Sequence, residues 1–128
     1  MEIGRMSTIK ANTIQNSTGG AVTLTGLYPA KAWLNFNGTG TASIRNDENI
    51  SSITDSGTGN FGVNFTNTFS NTTYAAPAAA GRSGTTGTIN RTGLITPETT
   101  STARLRHSVI SSGGNTDPET SCSAYFGN

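Results

Sequence analysis

His107 is the only histidine of the chain and the only side chain whose ordinary pKa suits general base catalysis near neutral pH. Nucleophilic catalysis of the Ser/His/Asp type needs this imidazole beside an activated serine, and no Gly-x-Ser-x-Gly elbow or comparable signature is present. His107 alternates with polar residues in step with Leu105 and Val109. The spacing places all three on one face of a strand, so it predicts a histidine packed in the core or at an interface.

Three carboxylates, those of Asp47, Glu48 and Asp55, are the next candidates for chemistry. Glycoside hydrolysis requires two carboxyl groups facing each other across a cleft, and calcium loops place acidic residues at alternate positions before a glycine. Neither pattern is present, and all three residues lie beside predicted turns. We expect them to be solvated, so the sequence predicts no catalytic residue, no cofactor-binding residue and no metal ligand.

Cys122 is the only cysteine, which excludes an intrachain disulfide. It lies in a predicted strand without a CxxC partner, so we expect a small buried side chain instead of a nucleophile. Four aromatic side chains could stack on sugars, but each is expected to pack in the core or at an interface. They are Tyr28, Trp33, Tyr74 and Tyr125.

The composition predicts strands, turns and a thin core. Hydrophobic residues make up 32% and charged residues 12% of the chain, and Thr, Ser, Asn and Gly take their place. Thr favours strands, while Gly, Asn and Ser favour turns. Because a small, poor core needs an additional source of stability, and neither disulfide nor metal is indicated, we expect a homo-oligomer or a subunit docked on a larger assembly.

The charge and hydropathy patterns argue against several classes of partner. The net charge is +1, and the nearest approach to a basic cluster is Arg104, Arg106 and His107, so nucleic-acid binding is not expected. No apolar stretch is long enough for membrane insertion. Residues 1–10 lack the hydrophobic segment of a signal peptide, which predicts synthesis in a cytosol without standard export.

Alternating apolar and polar residues predict short strands. The strongest signal is residues 61–66, where Phe61, Val63 and Phe65 form one buried face. The preceding segment, residues 55–60, contains two glycines and predicts a hairpin loop. Further strands are predicted at residues 32–37, 42–45, 50–54, 103–110 and 121–126.

The segments between these strands are less regular. Residues 46–48 predict a polar break, and residues 96–98 predict a turn. Residues 75–93 are rich in small residues, Gly and Thr, and are expected to be looser. The last strand is predicted to carry Ala124 and Phe126 on one face.

About seven or eight short strands separated by turns predict a single all-β domain, an antiparallel β-sandwich of jelly-roll-like type. Residues 1–25 are expected to form an N-terminal extended arm or edge strands, and residues 26–128 the β-sandwich domain. The predicted core residues are Leu34, Phe36, Ile44, Ile53, Phe61, Val63, Phe65, Phe69, Leu105 and Val109.

Residues 30–41, with Ala32-Trp33-Leu34-Asn35-Phe36 at their centre, resemble a motif of tail-fibre-like virion proteins of bacteriophages. The similarity continues through residues 44–45, 50–55, 57–59, 61–66 and 71–75. The opening segment, residues 7–15, resembles the start of short structural proteins of marine, especially cyanobacterial, phages. Together these matches cover roughly residues 6–76.

This resemblance implies a β-rich component exposed on the phage particle and brings no catalytic residue with it. With the thin core, it favours a homotrimer. The implied function is a tail-fibre or tail-tip protein for host attachment. The alternative is a decoration protein anchored on the outside of the major capsid shell, which the short length and the lack of a shaft favour. An enzyme such as a polysaccharide depolymerase is the third class, and no acid/base pair supports it.

The expected partners follow from these classes. They are further copies of the chain, other virion proteins of the tail or the major capsid shell, and host cell-surface polysaccharide. The expected location is the virion, after synthesis in the host cytoplasm.

Overall fold

The computed structural model describes residue 18 and residues 29–81 and 91–127. The expected N-terminal arm, residues 1–25, therefore lies outside the described residues except at Thr18, and Tyr28 lies outside them as well. The boundary between an arm and the sandwich domain stays a prediction.

In the described part of the chain, eight strands form two antiparallel four-stranded sheets and no helix is present. Sheet A has the strand order β2-β1-β8-β5 and sheet B the order β3-β4-β7-β6. The two sheets pack face to face around one core, so the predicted all-β sandwich is confirmed. The strands are β1 (Ala32–Asn37), β2 (Ser43–Glu48), β3 (Ile50–Asp55), β4 (Asn60–Phe65), β5 (Ala78–Gly81), β6 (Arg91–Pro97), β7 (Thr102–Val109) and β8 (Thr120–Tyr125).

The core is built by the alternation of the central strands. In β4, Phe61, Val63 and Phe65 are buried, as the sequence predicts. Successive side chains of a strand point to opposite faces, so these residues face sheet A while their neighbours face outward. Burying each large apolar side chain contributes roughly 1.5–3 kcal/mol, which makes these central strands the main source of stability.

Aromatic rings fill both ends of the core. Phe36 and Phe61 pack edge to face at 5.1 Å between ring centroids at one end. At the other end Phe65 packs against Phe69 and Tyr125, with centroid distances of 4.9 and 5.0 Å. Edge-to-face pairs at such separations add stability beyond the area that they bury.

Residues 46–48 do not form the predicted polar break, because they belong to β2. The break is the single residue Asn49, which adopts φ 60° between β2 and β3. Its amide side chain donates to the carbonyl oxygens of Lys31 and Asn67 and accepts from the backbone N–H of Asn67. One asparagine therefore carries the chain from sheet A to sheet B, and an asparagine tolerates this left-handed conformation better than most residues.

The looser segment predicted at residues 75–93 contains strand β5 and the start of β6, while residues 82–90 lie outside the described residues. The turn predicted at residues 96–98 is also displaced, since β6 continues to Pro97, opposite Ala103. Small residues have a packing role here: a Cβ at Gly93 would lie 3.0 Å from Ala78 Cβ. The edge strands β5 and β6 thus approach closely because their side chains are small.

Three predicted core residues lie less deep than expected. Ile44 is 37% exposed because β2 is an edge strand, so its placement in the core was wrong. Val109, the last residue of β7, is half-buried outside the core cluster, whereas Ile53 is half-buried and packs against it. The other seven are buried: Leu34, Phe36, Phe61, Val63, Phe65, Phe69 and Leu105.

The last strand, β8, turns two serines and one tyrosine toward the core. Ser121, Ser123 and Tyr125 of β8 are buried, while Ala124 lies on the outer face. Ser123 Oγ donates to Tyr125 Oη at 3.1 Å, which satisfies polar atoms inside the core. Among the described residues, Tyr125 has the largest fully buried side chain, and it faces the core together with Ser121 and Ser123.

Candidate functional site

His107 and Ser121 form a hydrogen-bonded pair inside the sandwich. The imidazole Nε2 lies 2.8 Å from Ser121 Oγ, and both residues are fully buried. His107 belongs to β7 of sheet B and Ser121 to β8 of sheet A, so the hydrogen bond joins the two sheets. The imidazole also packs edge-on against the rings of Phe36 and Phe61, with centroids at 6.1 and 5.9 Å. The prediction of a packed core histidine is confirmed.

The electrostatics of the pair disfavour a role of His107 as a general base. The pKa of His107 is lowered from 6.5 to about 4, mainly by burial and to a smaller extent by the positive charge of Arg91, while Asp117 opposes the shift. His107 Nδ1 is buried without a hydrogen-bond partner. Since orphaned buried N–H groups are rarer than under-satisfied acceptors, we assign the proton to Nε2, which then donates to Ser121 Oγ. An activated serine would donate to the histidine instead, so this pair is a packing element.

A network of backbone and side-chain hydrogen bonds closes the end of the sandwich around His107. Its backbone N–H donates to Gly59 O at 2.8 Å, and its carbonyl oxygen accepts from Thr116 N–H at 3.2 Å. Asp117 Oδ1 accepts from Gly59 N–H at 2.6 Å. Arg91 Nη1 donates to Thr116 Oγ1 and to the carbonyl oxygen of Asp117. The predicted hairpin loop is thereby tied to the loop before β8.

The three acidic candidates are separated by the fold. Asp47 and Glu48 end β2 in sheet A, whereas Asp55 ends β3 in sheet B, about 17 Å along the strand from Ile50. Asp55 Oδ1 accepts from Gly57 N–H in the hairpin loop. In the described residues, no three His, Cys, Asp or Glu side chains come together as a group that could hold a metal ion.

The aromatic candidates divide between core and surface. Tyr74 and Tyr125 are buried, and Tyr74 Oη donates to Thr102 O at 2.9 Å. Burial raises the pKa of both phenols, that of Tyr125 to about 12. Trp33 instead lies half-buried on the outer face of sheet A, opposite Ala124 of β8 and Glu48 of β2.

Cys122 is exposed, which corrects the expectation of a buried thiol. It lies on the outer face of sheet A because its neighbours Ser121 and Ser123 face the core. A shallow hollow of about 300 Å³ surrounds it. The hollow is lined by Pro77, Ala78, Ala79, Cys122, Ser123 and Ala124.

An exposed thiol should react without unfolding. We expect Cys122 to titrate with a thiol reagent such as 5,5′-dithiobis(2-nitrobenzoic acid) in native buffer. The free energy of unfolding of the Cys122→Ser variant should lie within about 0.5 kcal/mol of that of the parent, because the Cys122 side chain adds little to the core. A thiol that reacts only after addition of urea would contradict this placement.

The outer face of sheet B is polar across all four strands. Register pairs place Arg106 between Asn60 of β4 and Leu94 of β6, and place Arg104 opposite Gly62 of β4. Leu94 is 62% exposed. The face is formed by Ser52, Thr54, Asn60, Gly62, Asn64, Thr92, Leu94, Thr96, Thr102, Arg104, Arg106 and Ser108. Sequence reasoning did not single out this face, although the alternation that buries Leu105 and His107 turns both arginines outward.

Comparison with known proteins returned no relative: no family model, no curated protein and no solved structure matches the chain. Within residues 29–81 and 91–127, no helix is long and apolar enough to cross a membrane.

Proposed function

We propose that this chain is a non-catalytic structural protein of a bacteriophage particle, of the tail-fibre or tail-tip type, exposed for host attachment. The observation that carries the proposal is the polar outer face of sheet B, a wide surface that presents hydroxyl, amide and guanidinium groups. Such groups match the hydroxyl-rich surface of a bacterial cell. The resemblance of roughly residues 6–76 to tail-fibre-like virion proteins supports the same function.

The buried residues support a structural role. His107 and Ser121, which have the types needed for nucleophilic catalysis, are fully buried and hold the two sheets together. A substrate could reach Ser121 only if the sandwich opened. These side chains therefore contribute to a rigid scaffold in this proposal.

Self-association into a homotrimer completes the proposal. Among the described strands, each sheet ends in edge strands, β2 and β5 in sheet A and β3 and β6 in sheet B. Unpaired edge strands offer backbone donors and acceptors to another chain. Because hydrophobic residues make up only 32% of the chain, burial between copies would add the apolar area that one copy lacks.

A decoration protein on the outside of the capsid is the second candidate. The small apolar side chains of Pro77, Ala79 and Ala124 around the hollow on sheet A favour it, because they offer a shape that another protein can fill. In this version sheet A would face the major capsid protein.

Copy number in purified virions distinguishes these functions. Quantitative mass spectrometry should find a count that matches the tail components and is divisible by three if the chain is a trimeric fibre or tip protein. A fixed ratio to the major capsid protein would instead support the decoration protein. Absence from the virion would overturn both.

A further inference from the structure

Arg104 is held by polar partners on the outer face of sheet B. Gly62, its partner on β4, has no side chain, and the guanidinium extends across this strand to donate from Nη1 to Ser56 Oγ at 2.9 Å and to Asn60 Oδ1 at 3.5 Å. Nε lies 2.9 Å from Glu98 Oε1, which completes an ion pair. Arg104 is therefore positioned and its charge is neutralised within the face.

Arg106 differs from Arg104 in both respects. It is exposed, and in the described part of the chain its guanidinium has no hydrogen-bond or ion-pair partner. The carboxylate of Glu98 pairs with Arg104, and Asp55 Oδ1 accepts from Gly57 N–H in the hairpin loop. Among the described residues, Arg106 thus presents a positive charge without an ion-pair partner in the middle of a polar face.

The neighbours of Arg106 complete a small binding surface. Asn60 lies opposite on β4, where its Oδ1 accepts from Arg104 Nη1 at 3.5 Å and its amide N–H₂ group remains as a donor, and Leu94 lies opposite on β6 with 62% of its surface exposed. Directly opposed residues on neighbouring strands have Cβ atoms about 4.5–5.5 Å apart. A cation, an amide and an apolar side chain therefore lie side by side across three strands.

We propose that Arg106, Asn60 and Leu94 bind a carboxylated polysaccharide. A guanidinium pairs with a carboxylate through two parallel hydrogen bonds. The amide matches sugar hydroxyl groups, and Leu94 matches the C–H face of a sugar ring. A nucleic acid is a poorer fit, since its binding requires many basic contacts and the chain has a net charge of +1.

The choice of a surface polysaccharide rests on the proposed host attachment, while the site itself rests on the geometry of sheet B. Polygalacturonate is a suitable probe because its charge is a carboxylate on every sugar. Its fully methyl-esterified form is the matched control, since it has the same backbone without the charge. Isothermal titration calorimetry with the full chain measures the binding of each of the two polymers.

We expect the parent protein to bind polygalacturonate and not the methyl ester, with an affinity that falls as salt rises. Arg106→Gln should weaken binding about tenfold or more, because a hydrogen-bonded charge pair is lost. Arg45→Gln removes the same charge from an exposed position on β2 of sheet A and should leave binding unchanged. Melting curves of both variants verify that each is folded.

Three results would overturn the site: no binding of polygalacturonate by the parent, equal binding of the methyl ester, or an equal loss in the Arg45 and Arg106 variants. Copy number in virions tests the proposed function separately. If the protein is absent from virions but binds polygalacturonate through Arg106, the proposed site stands and the proposed phage function is wrong. If the protein is present in virions but does not bind polygalacturonate, only the proposed site is wrong.

Discussion

The Gly59→Ala variant is expected to lose about 3–5 kcal/mol of the free energy of unfolding, because its effects combine backbone strain with a steric clash. Gly59 has φ +66°, a conformation that costs an L-residue about 1–2 kcal/mol. A Cβ there would also meet His107 O and lie 2.8 Å from Thr116 N. Both neighbours are backbone atoms held by hydrogen bonds, so neither can move at low cost.

Gly40→Ala is the matched control for this variant. Gly40 has nearly the same conformation, φ +65°, but a Cβ there meets nothing within 4 Å. It should therefore show only the conformational cost, about 1–2 kcal/mol. Urea unfolding of the parent and both variants provides the comparison. Equal losses would show that the close approach of the hairpin loop to His107 contributes nothing.

The second large effect is an acid-dependent loss of stability caused by His107. Its pKa is about 4 in the folded protein and 6.5 in the unfolded chain, so the unfolded chain binds more protons between these values. The stability of the folded protein with neutral His107 is fully present above pH 6.5. It is lost progressively as the pH falls to about 4. At 1.36 kcal/mol per pKa unit, the loss is about 3 kcal/mol.

A double variant isolates this titration. His107→Phe with Ser121→Ala removes the ionisable ring together with the hydroxyl that it contacts, so no new polar atom is left unpaired. The free energy of unfolding of the variant should depend less on pH between 7 and 4 than that of the parent, by about 3 kcal/mol over the interval. Carboxylates titrate in both proteins and cancel in the comparison. If the parent and the double variant show the same pH dependence, the assignment of this stability loss to His107 is wrong.

The strands that the sequence predicts well are those whose pattern is local. Phe61, Val63 and Phe65 alternate with small or polar residues, and a period of two specifies both the strand and its buried face. The hairpin loop at residues 55–60 is equally local, since Gly57 and Gly59 adopt the positive φ expected of them. The same pattern places His107 beside Leu105 in the core.

The errors arise where burial depends on neighbours in space. Ile44 looks like a core residue, but β2 is an edge strand and leaves it 37% exposed. In β8 a buried Cys122 was expected, yet Tyr125 faces the core and turns Cys122 outward. A shift of one residue reverses every side chain of a strand, and only packing against the other sheet selects between the two registers.

By itself, the sequence determined the all-β class, the central strands and a histidine in the core, because these depend on composition and on contacts between near neighbours. Only the tertiary structure decided what that histidine contacts: Ser121 lies 14 residues away and in the other sheet. It likewise decided the surface around Arg106. Asn60 and Leu94 come to the same place only through the pairing of β4, β7 and β6, which no local pattern encodes.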